Sequence, residues 1–375
     1  MKIPNNILLS SLDSKSLKKL QKLINNAPHK LYSNSSTQTS NSKTISDILQ
    51  KLNLPINKLN QELIQKFIKY QLPLDKDLLL YINSLTNNEQ KKLNSIIQSI
   101  VLLKRTNLNI STSNIKLLTN FLITKPNIAN NLQNIMEEKQ ISQKSLHKLN
   151  SFILKPNNNK FSTQELKTKI SNLGLDLEKN LLNNNFKPNS KLKGFLYTLK
   201  SSDNPLLNHI INKATYNLTS QKLIMHQNES YDTNFLYLQL PLQINENDLT
   251  TGHLTIYNQR KEKDSNHKNN SLKLVLKLET ENLGLINVEL NFNNQKLMIN
   301  IKTKSEKVLN RFKEEISTLK SKIIDLGYKI KTINYSILPA EAEPNLDFEN
   351  DLEEKILNTN SLNFKDILHN IDFTI

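Results

Sequence analysis

The spacing of apolar residues changes near residue 231, and this change constrains the fold more than any other feature of the chain. From about Ile45 to Met225, apolar residues recur every three or four positions, which is the period of an amphipathic helix. From Tyr231 onwards they alternate with polar residues, as in FLYLQLPLQI, which is the period of a strand with one buried face. The sequence therefore predicts an α+β class: an all-α region of short helices and flexible linkers, then a small antiparallel sheet packed on one long helix at the C-terminus.

Starts of helices repeat one pattern in the region from 45 to 225. A capping residue follows an apolar residue, and a second apolar residue stands four positions after the cap, as expected of a helix N-cap with a hydrophobic staple. The predicted caps are Asp75, Ser111, Ser142 and Ser162.

Changes in composition divide the chain into five segments. We expect a short helical segment over 1–25, a flexible polar linker over 26–44, a helical region over 45–225, an α+β domain over 231–338, and an acidic tail over 339–375. The linker contains SNSSTQTSNSKT, which has too few apolar groups to offset the entropy cost of ordering. The tail carries EAEPNLDFENDLEE and then apolar positions at helical spacing, so it is either a disordered tail with a marginal helix or a helix that binds a partner.

Strands are predicted on both sides of one glycine in LKLETENLGLINVELNFNNQKLMINI. Gly284 lies where one alternating stretch ends and the next begins, so the chain turns sharply there and a residue without Cβ is favoured. A second tight turn is predicted at Asn293 to Gln295, since asparagine tolerates a positive φ.

A long helix is predicted over about 306–326, followed by a closing strand. Its apolar stripe consists of Val308, Phe312, Ile316, Leu319, Ile323 and Leu326. Gly327 is expected to end the helix in the left-handed conformation, with Tyr328 touching Ile323 across the cap. The apolar phase then shifts in YKIKTINYSIL, which predicts a β-bulge near Thr332.

Charge and residue usage bear on the possible partners. The net charge of +16 raises nucleic acid as a partner, but only three residues are arginines, and arginine is favoured for bidentate recognition of bases and phosphates. Nucleic-acid binding is therefore kept only as an alternative.

Patterns typical of enzymes and membrane proteins are missing from the sequence. The seven histidines form no pair at metal-ligand spacing, the chain has no cysteine, and no glycine-rich phosphate loop or nucleophile elbow is present. We therefore expect no catalysis, no cofactor and no metal. No apolar run reaches the roughly 18 residues of a membrane span, and the first residues lack the apolar stretch of a secretory signal.

The order of elements in the last third resembles the C-terminal domain of the bacterial flagellar hook-length control proteins. A leucine strand, the turn L-x-x-x-x-L-G at 278–284, an alternating hairpin, an amphipathic helix, a glycine and a final strand follow one another. The family turn has proline where this chain has Thr280. The signature and core positions of the resemblance are Leu278, Leu283, Gly284, Val288, Leu290, Leu297, Ile299, Phe312, Leu319, Gly327 and Ile333.

This resemblance implies a function for the chain. Family members are exported through the flagellar type III channel, their N-terminal part measures the hook in contact with hook and hook-cap proteins, and their C-terminal domain acts on the cytoplasmic domain of the export-gate switch protein. That action ends rod and hook export and starts filament export. The expectation is a monomeric regulator that begins in the cytoplasm; the alternative is a basic helical protein that binds nucleic acid or a scaffold.

Overall fold

The computed structural model of the protein describes residues 45–70, 72–86, 90–155, 163–175, 188–200, 204–225, 233–245, 248–259, 271–293 and 296–342. The expectations for 1–44 and for the tail beyond 342 lie outside these residues. The chain divides between Lys104 and Arg105 into two compact units. The predicted boundaries at 225 and 338 stay predictions.

Helices dominate the described chain up to residue 225. They are α1 (45–51), α2 (Lys58–Lys69), α3 (Lys76–Thr86), α4 (Gln90–Arg105), α5 (Thr112–Thr124), α6 (Ile128–Met136), α7 (Gln143–Phe152), α8 (Thr163–Asn172), a short 3-10 turn (Pro188–Ser190), α9 (Leu192–Thr198) and α10 (Pro205–Met225). The first unit contains α1 to α4, and its buried side chains include Leu49, Phe67, Ile82 and Ile96.

Predicted N-caps are confirmed wherever the structure describes them. Asp75 Oδ1 accepts a 2.8 Å hydrogen bond from the Leu78 amide. Ser111 and Ser142 accept from the amides of Asn114 and Ser145, each at 3.2 Å. These bonds satisfy amides that the first turn of a helix leaves without an intrahelical acceptor. The fourth cap, Ser162, lies outside the described residues.

A six-stranded sheet occupies the second unit, in the order of the sequence. The strands are β1 (Thr233–Asn245), β2 (Asp248–Gln259), β3 (Ser271–Thr280), β4 (Gly284–Asn293), β5 (Lys296–Thr303) and β6 (Lys329–Ile337). Neighbours from β1 to β5 are antiparallel, and β6 runs parallel to β5. The helix α11 (Glu306–Asp325) lies between β5 and β6 in the chain, as a parallel connection requires a crossover. The α+β class is confirmed, and the small sheet is antiparallel except at this last pair.

Strand β2 is not predicted by the apolar pattern of the sequence. Its Leu254 and Ile256 share one face, whereas the other face carries Thr251, His253 and Thr255, which are all buried. Because buried polar residues hide the alternation, hydropathy alone did not indicate a strand here.

The expected β-bulge is present in β6. Leu297 pairs with Ile330 and Met298 pairs with Thr332, so Lys331 is the extra residue. The bulge restores Ile333 to the face that Ile330 occupies, which agrees with the shift in apolar phase.

Two separate hydrophobic clusters each include side chains of the sheet. The helical core joins side chains of helices and of the first strands, among them Ile128, Leu132, Phe195, Ile211, Leu218, Leu238, Leu240 and Leu254. The α11 core joins Leu297, Ile299, Ile301 and Ile323, with Val288, Leu290, Phe292, Phe312, Ile316, Tyr328, Ile330, Ile333 and Tyr335 packed against them. The sheet is therefore covered by α5–α10 at its β1 end and by α11 at its β6 end.

Candidate functional site

The turn between β3 and β4 is closed by the residue that replaces proline. Thr280 pairs with Gly284 across the end of the hairpin, and Thr280 Oγ1 accepts a 3.0 Å hydrogen bond from the Leu283 amide. Gly284 has φ of +65°, and a Cβ at this position would meet no atom within 4 Å. Glycine is therefore required by the backbone conformation and not by lack of space.

Signature positions on the strands lie mostly in the α11 core. Leu297 and Ile299 are fully buried, and Val288, Leu290 and Ile333 are half-buried against them. Leu278 and Leu283 are half-buried at the β3–β4 end. The structure thus brings five of the signature positions on strands into one cluster.

Helix α11 is rotated relative to the predicted stripe. Phe312, Ile316 and Ile323 pack in the α11 core as expected, but Leu319 is 38% exposed and Leu326 is 70% exposed. The prediction of both leucines as core residues is wrong. Helix α11 makes its main contacts with β5 and β6, and the flank of its apolar stripe that carries Leu319 and Leu326 is left exposed to solvent.

Gly327 ends α11 as predicted. It has φ of +85°, its amide donates to Ile324 O at 2.8 Å, and the Tyr328 amide donates to Ile323 O at 3.3 Å. This pair of bonds is a Schellman motif, and Tyr328 and Ile323 meet in the α11 core. The cap fixes the direction in which the chain enters β6.

The polar face of β3–β5 carries a charge cluster. Glu289 is bonded to Lys302 at 2.7 Å and lies 3.5 Å from Lys273. Burial alone would raise the pKa of Glu289, but the hydrogen bond from Lys302 and the charges of both lysines outweigh it and hold the pKa below its usual value. Since Glu289 pairs with two lysines, this face is not a purely cationic surface of the kind that binds a phosphate backbone.

Buried side chains form a second polar cluster where the helices meet β1 and β2. Gln239 is central to it: Oε1 accepts from the Ile128 amide at 3.1 Å and from Asn217 Nδ2 at 2.9 Å. Gln239 Nε2 donates to Pro126 O at 2.8 Å and to Tyr237 Oη at 3.0 Å. No sequence pattern marks these residues, because each is polar and its partners are remote in sequence.

His253 closes the hydrogen-bond chain from Gln239 through Tyr237. Tyr237 Oη accepts from Gln239 Nε2 and also lies 2.8 Å from His253 Nδ1, within hydrogen-bond distance. Burial, together with the charge of Lys277, lowers the pKa of His253 to about 4. His253 is therefore neutral near neutral pH, and its tautomer sets which of the two groups donates in this hydrogen bond.

The described residues contain neither a metal-binding cluster nor a membrane-spanning helix. Within the described ranges, no group of three or more histidine, aspartate or glutamate side chains is placed to hold a metal ion. Among the helices that the structure describes, none has the length and apolar character needed to cross a membrane.

Comparison with known proteins bears on residues 260–342. This segment matches the family described as flagellar hook-length control protein FliK. No curated protein and no solved structure matches the chain. The matched segment contains β3 to β6, α11 and every residue of the α11 core, whereas β1, β2 and the helices of the helical core precede it. Residues 260–342, less than a quarter of the chain, are therefore similar to the flagellar hook-length control family.

Proposed function

We propose that this protein is an exported regulator that measures the length of the flagellar hook and switches type III export from rod and hook substrates to filament substrates. The observation that carries the proposal is the match of residues 260–342 to the hook-length control family. The α11 core supports it, because the matched residues include a hydrophobic cluster of their own. The protein acts by binding, with no catalytic step and no cofactor.

In this proposal the two parts of the chain have different partners. The α+β domain acts on the cytoplasmic domain of the export-gate switch protein. The helical region over 45–225 measures the hook in contact with hook and hook-cap proteins. The protein works as a monomer that leaves the cytoplasm through the flagellar type III channel.

Deletion of the gene tests the proposed switch. Electron microscopy of the deletion strain should show overlong hooks without filaments, and the wild-type gene supplied in trans should restore normal hooks. Normal hooks carrying filaments in the deletion strain would overturn the proposal. A lysate assay of salt-dependent retention on DNA tests the alternative of nucleic-acid binding, which predicts a steep loss of binding as salt rises.

Insertion of residues tests the measuring role. About 20 polar residues inserted between Asn87 and Asn88, where α3 is joined to α4, should lengthen hooks by about 30 Å if that stretch is helical in the channel, or by about 66 Å if it is extended. The matched control places the same insertion between Ser265 and Asn266, in the connection between β2 and β3, and should leave hook length unchanged. Equal hook lengths in both strains would refute the measuring role while leaving the switch open.

A further inference from the structure

The N-terminus of α6 is bound by side chains of the sheet. The Ile128 amide donates to Gln239 Oε1 at 3.1 Å, the Ala129 amide donates to Thr251 Oγ1 at 3.0 Å, and Pro126 O accepts from Gln239 Nε2 at 2.8 Å. The first amides of a helix have no intrahelical acceptor and are usually satisfied by a local cap or by water. Here two strands provide acceptors for them.

Helix α10 completes the contact. Gln221 Oε1 accepts from the Gln239 backbone amide at 2.9 Å, and Gln221 Nε2 donates to Asn217 Oδ1 at 2.9 Å. Asn217, Gln221 and Gln239 each have a relative exposure of 1% or less, and both amide atoms of each side chain are hydrogen-bonded. A buried network with every member satisfied selects one arrangement, since any shift leaves buried polar atoms without partners.

The surface that receives these helices is the β1–β2 polar face, which we define as Tyr237, Gln239, Thr251 and His253. Cross-strand pairing places Gln239 opposite His253 and Thr251 opposite Pro241, so the four side chains share one side of the first hairpin. All four are buried at 3% exposure or less. Phe121 of α5 meets the Tyr237 ring edge-on at 6.2 Å and extends the cover.

Export and this contact are mutually exclusive. Helices α5, α6 and α10 lie inside the region that we propose to measure the hook, and a chain extended in a channel cannot remain packed on the sheet. The α11 core lies entirely within the segment matched to the hook-length control family and includes no side chain of these helices. Departure of these helices uncovers β1 and β2.

We propose that α6 and α10 occupy a helix-binding surface, the β1–β2 polar face, and that withdrawal of the helical region during export frees this face for a helix of the switch partner. The inference rests on the proposed function and adds the way in which measuring and switching are coupled. The bound α6 defines the chemistry of the replacing helix: a preceding carbonyl for Gln239 Nε2, and two first-turn amides for Gln239 Oε1 and Thr251 Oγ1. A helix that presents these groups satisfies the same polar atoms.

Two variants of the full-length chain shift the equilibrium between the covered and the uncovered β1–β2 polar face in opposite directions. Asn217→Ala removes a contact from the α10 side and leaves all four residues of the face in place, so it favours the open state. Asn127→Cys with Thr251→Cys joins the start of α6 to β2, because Thr251 Oγ1 and Asn127 Oδ1 are hydrogen-bonded in the structure. The chain has no other cysteine, so only this pair can form a disulfide. Asn212→Ala, at a half-exposed position of α10, is the matched control for the first variant.

Binding to the purified cytoplasmic domain of the export-gate switch protein is the measurement. Asn217→Ala should bind about tenfold more tightly than wild type, which corresponds to the loss of about one buried hydrogen bond from the closed state. Asn212→Ala should bind like wild type. The oxidised cysteine pair should bind more weakly than the same sample after reduction, in which α6 can leave and Gln239 becomes accessible. Because Thr251 is itself part of the face, these two forms are compared with each other and not with wild type. In cells, Asn217→Ala should give short hooks with filaments, because the switch is released early.

The results of these experiments distinguish failure of this inference from failure of the proposed function. If the reduced cysteine pair binds and its oxidised form binds equally well, the inference is wrong, whether or not Asn217→Ala folds. If Asn217→Ala is folded and binds like wild type, the inference is also wrong. If no form binds and the gene deletion leaves hooks normal, the proposed function itself fails.

Discussion

Individual residues in this protein gain their roles from where the backbone places them. His253 is an ordinary histidine in the sequence, yet on β2 it is 3% exposed and its Nδ1 lies 2.8 Å from Tyr237 Oη. Gly284 and Gly327 have positive φ in open space. His253 and Gly284 each lead to a prediction about a single substitution.

Stability should depend on His253 between about pH 6.5 and pH 4. The pKa of His253 in the folded chain is about 4, below its usual 6.5, so the unfolded chain takes up a proton that the folded chain refuses. Stability from this group is complete above pH 6.5 and is lost as pH falls towards 4, by up to about 3 kcal/mol. Chemical denaturation at several pH values measures it. His253→Gln should flatten this dependence and the exposed His209→Gln should not; parallel curves for wild type and His253→Gln would contradict the assignment.

Replacement of Gly284 should cost stability through the backbone alone. Gly284→Ala should lower the free energy of unfolding by about 1 kcal/mol, because the left-handed region is unfavourable for a residue with Cβ. Gly284→Asn should cost less, since asparagine visits that region more readily. Thermal denaturation of both variants checks this order. A Cβ at position 284 meets no atom within 4 Å, so crowding does not contribute. An equal loss of stability in the two variants would therefore contradict the backbone explanation.

Among the elements, α11 forms the predicted helix, but it is rotated about its axis relative to the predicted apolar stripe. Its Phe312 is half-buried in the α11 core, whereas Leu319, seven residues on, is 38% exposed. The Schellman cap at Gly327 and the pairing of β6 with β5 hold the end of the helix. The rotation of α11 about its axis is therefore set mainly by its packing on β5 and β6.

Matched truncations in α11 should separate core from surface. Phe312→Ala should lower the free energy of unfolding by about 2 kcal/mol, since it removes a packed ring. Leu319→Ala should cost less than about 0.7 kcal/mol, because that side chain already meets solvent. Urea denaturation measures both. A loss at Leu319 as large as that at Phe312 would contradict the rotation described here.

The whole second unit is held together by contacts between the helices and the sheet. The helical core includes Leu238, Leu240 and Leu254 of the first hairpin, while the α11 core lies within the family segment. The sequence places a domain boundary at 231, and this boundary stays a prediction. Its physical test is whether β1 and β2 remain ordered without the helices.

Two fragments test that boundary. A fragment of residues 105–342 should protect the amides of β1 to β5 from hydrogen exchange. A fragment of residues 231–342 should keep full protection in β4 and β5, where the α11 core lies, and have weaker but measurable protection in β1 and β2, where the cover is missing. Equal protection of β1 and β2 in both fragments would show that the first hairpin is stable without the helices.

The sequence by itself determined the features that depend on neighbours along the chain. Apolar period predicted most helices and strands, the caps at Asp75, Ser111 and Ser142 are local hydrogen bonds, and the conformations of Gly284 and Gly327 follow from short turns. The family signature was also recognisable, because it consists of such local patterns in a fixed order.

Tertiary structure alone decided the features that depend on distant partners. Gln239 meets Ile128 across 111 residues and Thr251 meets Ala129 across 122, so no local pattern marks the β1–β2 polar face. Strand β2 was not predicted because one of its buried sides carries polar residues, which are covered by those same partners. The parallel pairing of β6 and the exposure of Leu319 depend on which strands α11 crosses. An apolar period fixes that a helix has a buried side, but the free energy of packing in three dimensions fixes which side chains lie at its edge.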